Sequence, residues 1–196
     1  MAVPSSPAVR AAILAGGRAR RFGGAKATAE LSGRPLISYP LEAAAVGGLN
    51  PFVVAKPGSA LPPLDCEVVE EPANPSHPLM GILAALEAAD GPIVVLGCDM
   101  PFVTGELLAW IASLGPPAVA SVAGRIEPLL GLYGASAVAT FERCIGDEAP
   151  VGEAVALLEP RLLDAAELER FGSPERLVFS VNSPDDLLIA ERTLGR

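Results

Sequence analysis

Residues 92–96 read Pro-Ile-Val-Val-Leu between Gly91 and Gly97: an apolar run too short for a buried helix and without a polar break. Such a run is a strand covered on both faces, because a strand with one wet face alternates polar and apolar residues. Similar short runs stand at 9–15, 52–55, 67–69, 118–122 and 129–133, and segments with apolar residues at helical spacing separate several of them, at 36–46, 79–89 and 104–114. Parallel neighbours need a crossover, so this alternation predicts an α/β fold: a doubly wound, mainly parallel sheet with helices on both faces, in a single domain.

Local signals fix several boundaries. Gly47-Gly48 ends the first helix, Thr104 caps the third, and Leu107, Leu108 and Ile111 form its core stripe. Ser183-Pro184-Asp185-Asp186 starts a last helix running to about residue 194, with a Ser cap, Pro at the first position and acids in the first turn. Between these, 136–143 and 151–158 read as helices and 177–181 as a final strand. Residues 1–7 read as a flexible tail, leaving 8–196 as the domain.

Ligands of such sheets sit at the carboxyl ends of the strands. Two distinctive loops directly follow strands. The first, Leu-Ala-Gly-Gly-Arg-Ala-Arg-Arg-Phe-Gly-Gly-Ala-Lys at 14–26, puts four glycines and four cations into thirteen residues of a chain with net charge −9. Glycines let backbone N–H groups form an anion nest, and Arg18, Arg20, Arg21 and Lys26 add charge. The stretch matches neither GxGxxG nor GxxxxGK[ST]. In the second loop, Gly97-Cys98-Asp99-Met100-Pro101, Asp99 lies just beyond the buried strand, where one carboxylate suffices to hold Mg²⁺ against phosphate oxygens. The topology brings both loops to one rim. Together they make the two halves of a phosphate-plus-magnesium site.

Composition narrows the rest. The acidic balance argues against a general nucleic-acid binder. Cys66, Cys98 and Cys144 are widely spaced and accompanied by a single histidine, which speaks for reduced thiols and against a zinc site or a disulfide framework. No signal peptide and no membrane-length apolar run is read. His77 reads as a loop side chain, Cys98 as an inert thiol, Trp110 as packing, and the acids between Asp147 and Glu169 as a solvated face.

At these residues the chain resembles the nucleotidyltransferases that begin LAGGxxxRMGxxK, and within them the molybdenum cofactor guanylyltransferase family. The matching pieces are Leu14-Ala15-Gly16-Gly17, Arg21-Phe22-Gly23 with Lys26, Gly33-Arg34-Pro35-Leu36, Pro78-Leu79-Met80-Gly81-Ile82 and Cys98-Asp99-Met100-Pro101-Phe102. Glu127-Pro128-Leu129 with Leu132-Tyr133, and Val181-Asn182-Ser183-Pro184-Asp185-Asp186-Leu187, complete them in the family's order. The resemblance implies the fold of nucleotide-diphospho-sugar transferases, GTP and Mg²⁺ binding, and transfer of GMP to molybdopterin with release of pyrophosphate. With the acidic composition, the reduced thiols and the lack of a membrane-length run, the expectation is a cytoplasmic enzyme of small-molecule substrates, with no nucleic-acid or membrane partner, that is a monomer or a weak homo-oligomer. Carried over by position, Leu14, Ala15 and Gly16 line the nucleotide, Lys26 meets its phosphates, and Asp99 holds the metal. From their own chemistry, the Gly16-Gly17 amides hold the triphosphate, and Arg18 and Arg21 read as its clamps, since arginine's planar fork suits phosphate. A carboxylate before the Pro-Leu-Met-Gly loop contacts the nucleoside. Glu70 and Glu71 both stand at that place; spacing does not choose between them, and Glu71 is taken as the candidate. Asn182 faces the acceptor or the metal.

The chain departs from the pattern at Ala25, where the family has Asp, at Phe22 for Met, and at His77 for the Gly of GPLAG. These departures keep three alternatives open: a cytidylyltransferase for the same pterin, a sugar-phosphate nucleotidylyltransferase, and a nucleotide-binding module without turnover.

Overall fold

A computed structural model describes residues 9–16 and 26–195. The tail and the loop residues Gly17, Arg18, Arg20 and Arg21 lie outside them. The chain runs β1 (Arg10–Leu14), the short pair β2 (Glu30–Leu31) and β3 (Arg34–Pro35), α1 (Ser38–Val46), β4 (Asn50–Ala55), β5 (Val68–Glu70), α2 (Leu79–Ala89) and β6 (Ile93–Gly97). It continues with α3 (Gly105–Ala112), β7 (Ala118–Val122), β8 (Arg125–Tyr133), α4 (Val138–Gly146) and α5 (Val151–Ala156). The last elements are β9 (Arg161–Leu163), α6 (Ala165–Leu168), α7 (Pro174–Leu177) and α8 (Pro184–Leu194).

Seven strands form one sheet in the order β5-β4-β1-β6-β8-β7-β9. Only β8 runs against its neighbours, so the sheet is mainly parallel. All five residues of β6 are buried. Alternate residues of the central strands feed two cores. Ala11, Ile13, Val53, Val94 and Leu96 pack with Leu107 and Ile111 of α3, while Ala12, Phe52, Val54, Ile93 and Val95 pack with Ile82 of α2 and Phe141 of α4. The doubly wound architecture follows from that division.

Caps fall where the side chains allow them. Thr104 Oγ1 accepts from the Leu107 N–H at 3.3 Å, and Ser183 Oγ accepts from the Asp186 N–H at 3.2 Å with Pro184 in the first turn.

In the C-terminal third the helices expected at 136–143, 151–158 and 183–194 are present as α4, α5 and α8, and one segment departs from the expectation. Residues 177–181 are no strand: Leu177 ends α7, and the segment after it reaches the loop beyond β6 through the Val181 N–H, which donates to the Asp99 carbonyl at 2.9 Å. The flanks of β6 are already taken by β1 and β8, which leaves that segment no edge to join there. Instead β9 closes the sheet, parallel to β7. A small third core, formed by Leu31, Leu36, Phe102, Val181 and Ala190, then ties α8 and the β2–β3 pair to the loop that carries Asp99.

One close approach yields a stability prediction. Where α1 ends against the start of α3, a Cβ on Gly105 would lie 2.8 Å from the Gly47 nitrogen, and one on Gly47 would lie 2.7 Å from the Gly105 carbonyl oxygen. Backbone cannot yield as a side-chain tip can. Gly105→Ala is expected to cost about 1–3 kcal/mol, read as a lower urea midpoint with unchanged slope. Gly115→Ala, with nothing within 4 Å of its added carbon, is the matched control.

Candidate active site

The described ends of the glycine-rich segment, residues 14–16 and Lys26, meet the Asp99 loop at the carboxyl rim of the sheet. The Cys98 N–H donates to the Leu14 carbonyl at 3.1 Å, and the Ala15 N–H to the Val54 carbonyl at 2.8 Å. Lys26 opens a short turn immediately after the glycine-rich segment. Its ammonium donates to Asp99 Oδ2 at 2.7 Å and to Asn182 Oδ1 at 2.5 Å. Asn182 is held by its own turn: its N–H donates to Asp186 Oδ2 at 2.9 Å, and its side-chain amide donates to the Ser180 carbonyl at 3.1 Å. The side chains of Lys26 and Asp99 are only 18% and 14% exposed, so this pair is poorly screened by solvent.

A cavity of about 440 Å³ opens at this point. Leu14, Gly16, Gly97, Asp99 and Asn182 line one part of it, and Lys56, Glu71, His77 and Pro78 another. Glu71 is 6% exposed, the one charged side chain among the buried described residues. Burial pushes its carboxyl above the ordinary range, and Lys56 opposes the shift, with Nζ 3.6 Å from Oε1. The carboxylate fits because two neighbours lack side chains. A Cβ on Gly16 would fall 2.8 Å from Oε1 and one on Gly81 2.7 Å from Oε2. Glu70, by contrast, is exposed at the end of β5. Of the two candidates, only Glu71 reaches the cavity.

His77 is more than a loop side chain. Its Nδ1 accepts from the Leu79 N–H at 3.2 Å, at the start of α2, so Nε2 carries the proton and donates to the Ala149 carbonyl at 3.0 Å. The imidazole thereby ties the Pro-Leu-Met-Gly loop to the segment before α5. Cys98 is buried, and burial pushes its thiol up to about 12, so no thiolate is available for nucleophilic work. Trp110 packs on Phe171, with ring centroids 5.2 Å apart.

Lys56 was missed by the sequence reading. The signal was present, since it directly follows the buried strand β4 and so stands on the same rim. Among the proposed nucleotide-contacting residues, Leu14, Gly16, Lys26, Glu71 and Asp99 share this cavity; Ala15 instead packs against the core, and Gly17, Arg18 and Arg21 lie outside the described residues. A larger cavity, about 910 Å³, sits at the opposite rim between Pro92 and Gly134. Its described lining contains Glu87, Asp90 and Glu142 and no cation, so it has nothing to hold a polyphosphate.

The chemistry available at the smaller cavity is specific. One ammonium sits between a carboxylate and an amide oxygen, hard donors that also suit a small divalent cation. Among the described residues no three His, Cys, Asp or Glu side chains gather as a metal-holding group. A cation here would draw its remaining ligands from water and ligand oxygens.

Comparison with known proteins places the chain in a family. The chain is 35% identical over 94% of its length, and 96% of the relative's, to a molybdenum cofactor guanylyltransferase of Cereibacter sphaeroides. It is 32% identical to a probable molybdenum cofactor guanylyltransferase of Chloroflexus aggregans, over 93% of each chain. The crystal structure of molybdopterin-guanine dinucleotide biosynthesis protein A from Archaeoglobus fulgidus superposes with a TM-score of 0.78 at 26% identity, covering 95% of this chain and 99% of that one. A 2-C-methyl-D-erythritol 4-phosphate cytidylyltransferase from Thermus thermophilus shares the fold at a TM-score of 0.67 and 20% identity, with 96% and 100% of the two chains covered. The family model described as MobA-like NTP transferase domain matches residues 11–164, and the chain belongs to that family of nucleotidyltransferases.

Proposed function

We propose that this chain transfers GMP from GTP to the terminal phosphate of molybdopterin and releases pyrophosphate. The observation that carries the reading is the Lys26 ammonium shared between Asp99 and Asn182 at the strand rim, beside a cavity whose buried acid is Glu71. An acceptor phosphate oxygen attacks the α-phosphorus of GTP, and the bond from that phosphorus to the bridging oxygen of the β-phosphate breaks. A phosphate nucleophile is already ionised at neutral pH, so the residues position the groups and neutralise charge; little proton transfer is required. On binding GTP, Lys26 exchanges its partners Asp99 and Asn182 for phosphate oxygens. The amides of the Gly16 loop hold the α-phosphate. Glu71 accepts hydrogen bonds from the nucleoside, and Lys56 offsets part of the burial that opposes its charged form.

Asp99, with Asn182 beside it, would hold Mg²⁺. Both present hard oxygens that already converge on one cation, the ammonium of Lys26. Bound there, the metal supplies charge neutralisation across phosphate oxygens. We further infer that Gly17, Arg18 and Arg21 complete the phosphate cradle. Cys66, Cys98 and Cys144 are free, and no described helix is long and apolar enough to cross a membrane. We infer, as a further part of this reading, a cytoplasmic enzyme of small-molecule substrates that works as a monomer or weak homo-oligomer, without a nucleic-acid partner.

A panel of the four NTPs with Mg²⁺ and molybdopterin, followed by pyrophosphate release, tests the reading. Turnover is expected with GTP and is expected to vanish without the pterin. Equal turnover with CTP, or with a sugar phosphate in place of the pterin, would overturn the substrate assignment. GTP is also expected to raise the melting temperature most among the NTPs, because a ligand bound only by the folded state stabilises it.

A further inference from the structure

We propose that Glu127 selects the acceptor, holding the N–H donor edge of its ring in a second cavity that adjoins the nucleotide cavity. The proposal rests on the preceding reading and assigns a residue to the acceptor side of that site. The second cavity measures about 260 Å³ and shares Pro78, Leu129 and Ser180 with the first. Apart from Ser180 and Glu127 its described walls are apolar, with Met100, Pro128 and Val151 completing them. A slot of this size and polarity takes a flat heterocycle and offers it one carboxylate.

Glu127 is half-buried, and no hydrogen bond or ion pair from another described residue reaches its carboxylate. Its electrostatic neighbour is Arg125, which only partly offsets the effect of burial in raising the carboxyl above its ordinary value. A carboxylate held in that way gains when a ligand brings N–H groups to it. The cyclic N–H and exocyclic amine of a 2-amino-4-oxopyrimidine edge match its two oxygens.

The strand places this acid deliberately. Leu130 of β8 faces Leu96 of β6, so residues 125–129 run on past β6 along the rim that bears Asp99. There the pairing with β7 slips: Val119 faces Gly131, but Ser121 faces Ile126. Bulges of this kind re-aim side chains beside active sites. Tyr133, fully buried, pins this one from within by donating its hydroxyl to the Pro128 carbonyl at 2.8 Å.

Guanine carries the same donor edge as a pterin, so the test separates the two. Glu127→Gln keeps the side chain's size and turns one acceptor into a donor that opposes the ligand amine. The acceptor KM is expected to rise roughly 10- to 100-fold, with the KM for GTP unchanged within about twofold. Tyr133→Phe, which frees the bulge without touching the ligand, is expected to raise the acceptor KM by a smaller factor and to spare kcat at saturating acceptor. Pterin fluorescence follows acceptor binding without turnover, and a GTP-induced rise in melting temperature confirms that each variant folds. An unchanged acceptor KM in Glu127→Gln overturns the proposal, as does a rise in the KM for GTP instead. If wild type binds the pterin and Glu127→Gln binds it equally well, the role of Glu127 alone falls. If wild type binds no pterin, the acceptor assignment of the whole site falls with it.

Discussion

Replacing Lys26 by Met is expected to lower kcat for GMP transfer roughly 10³-fold, the scale on which a preorganised donor aimed at developing charge contributes. The ammonium lies 2.7 Å from Asp99 Oδ2 and 2.5 Å from Asn182 Oδ1, the place where the proposed reading brings phosphate and metal together. The loss should fall on kcat more than on the KM for GTP, because charge builds on the α-phosphate and leaving pyrophosphate in the transition state. The same substitution leaves the Asp99 carboxylate, 14% exposed, without its cation. A lone, poorly solvated charge is costly, while removing both partners of such a pair can be nearly neutral. The Lys26→Met, Asp99→Asn double variant is therefore expected to melt above Lys26→Met and to be no more active than it. Stability and activity thus move in different directions across one mutant cycle. If the Lys26→Met variant kept turnover within a few-fold of wild type, the site would have been placed wrongly.

The pairing of Lys26 with Asp99 was legible because each residue follows a recognisable sequence feature, a glycine-rich stretch after one strand and an all-apolar strand, and parallel topology sends both to one rim. Glu71 was legible only as one of two neighbours. The choice depends on Gly16 and Gly81, which are distant in sequence and leave space for one carboxylate; no local pattern encodes that. The segment 177–181 has strand composition, with Leu, Val and Phe, but strand composition does not supply a free sheet edge. Its real task, the Val181 bridge to the Asp99 loop, depends on a core made from α8 and β2–β3. Strand β9 hides for the opposite reason. Arg161-Leu162-Leu163 is three residues long with two of them exposed, too short for any period to register. His77 lies in a loop, as its sequence suggests, but its two partners there are the Leu79 N–H and the Ala149 carbonyl, and backbone partners leave no trace in sequence.

Glu71→Gln is expected to weaken the enzyme and strengthen the fold. A charge-assisted hydrogen bond from Glu71 to the nucleoside is worth about 1.5–3 kcal/mol, which corresponds to a rise of roughly 10- to 100-fold in the KM for GTP. The stability effect has a sign set by pH. Burial holds the folded carboxyl above its ordinary value, against the opposing field of Lys56. Below the unfolded carboxylate range both states are protonated, and the variant gains nothing. As pH climbs from the unfolded value through the raised folded one, the folded state retains the proton longer, so wild-type stability falls. Above that window the buried carboxylate is charged and its penalty is complete, whereas the amide of Gln has none. The melting temperatures of variant and wild type should therefore coincide in acid, separate through the window, and then run parallel, with the variant higher. Glu70→Gln, at an exposed position, should change neither the KM nor the melting curve. Gly16→Ala supplies the geometric counterpart: its added carbon, 2.8 Å from Oε1, displaces the carboxylate without removing the charge. It should raise the KM for GTP as Glu71→Gln does, but lower the melting temperature. Should Glu71→Gln instead melt below wild type at neutral pH, Lys56 would be more than offsetting the cost of burial, and the acid would be part of the protein's own structure before it is a contact for the nucleoside.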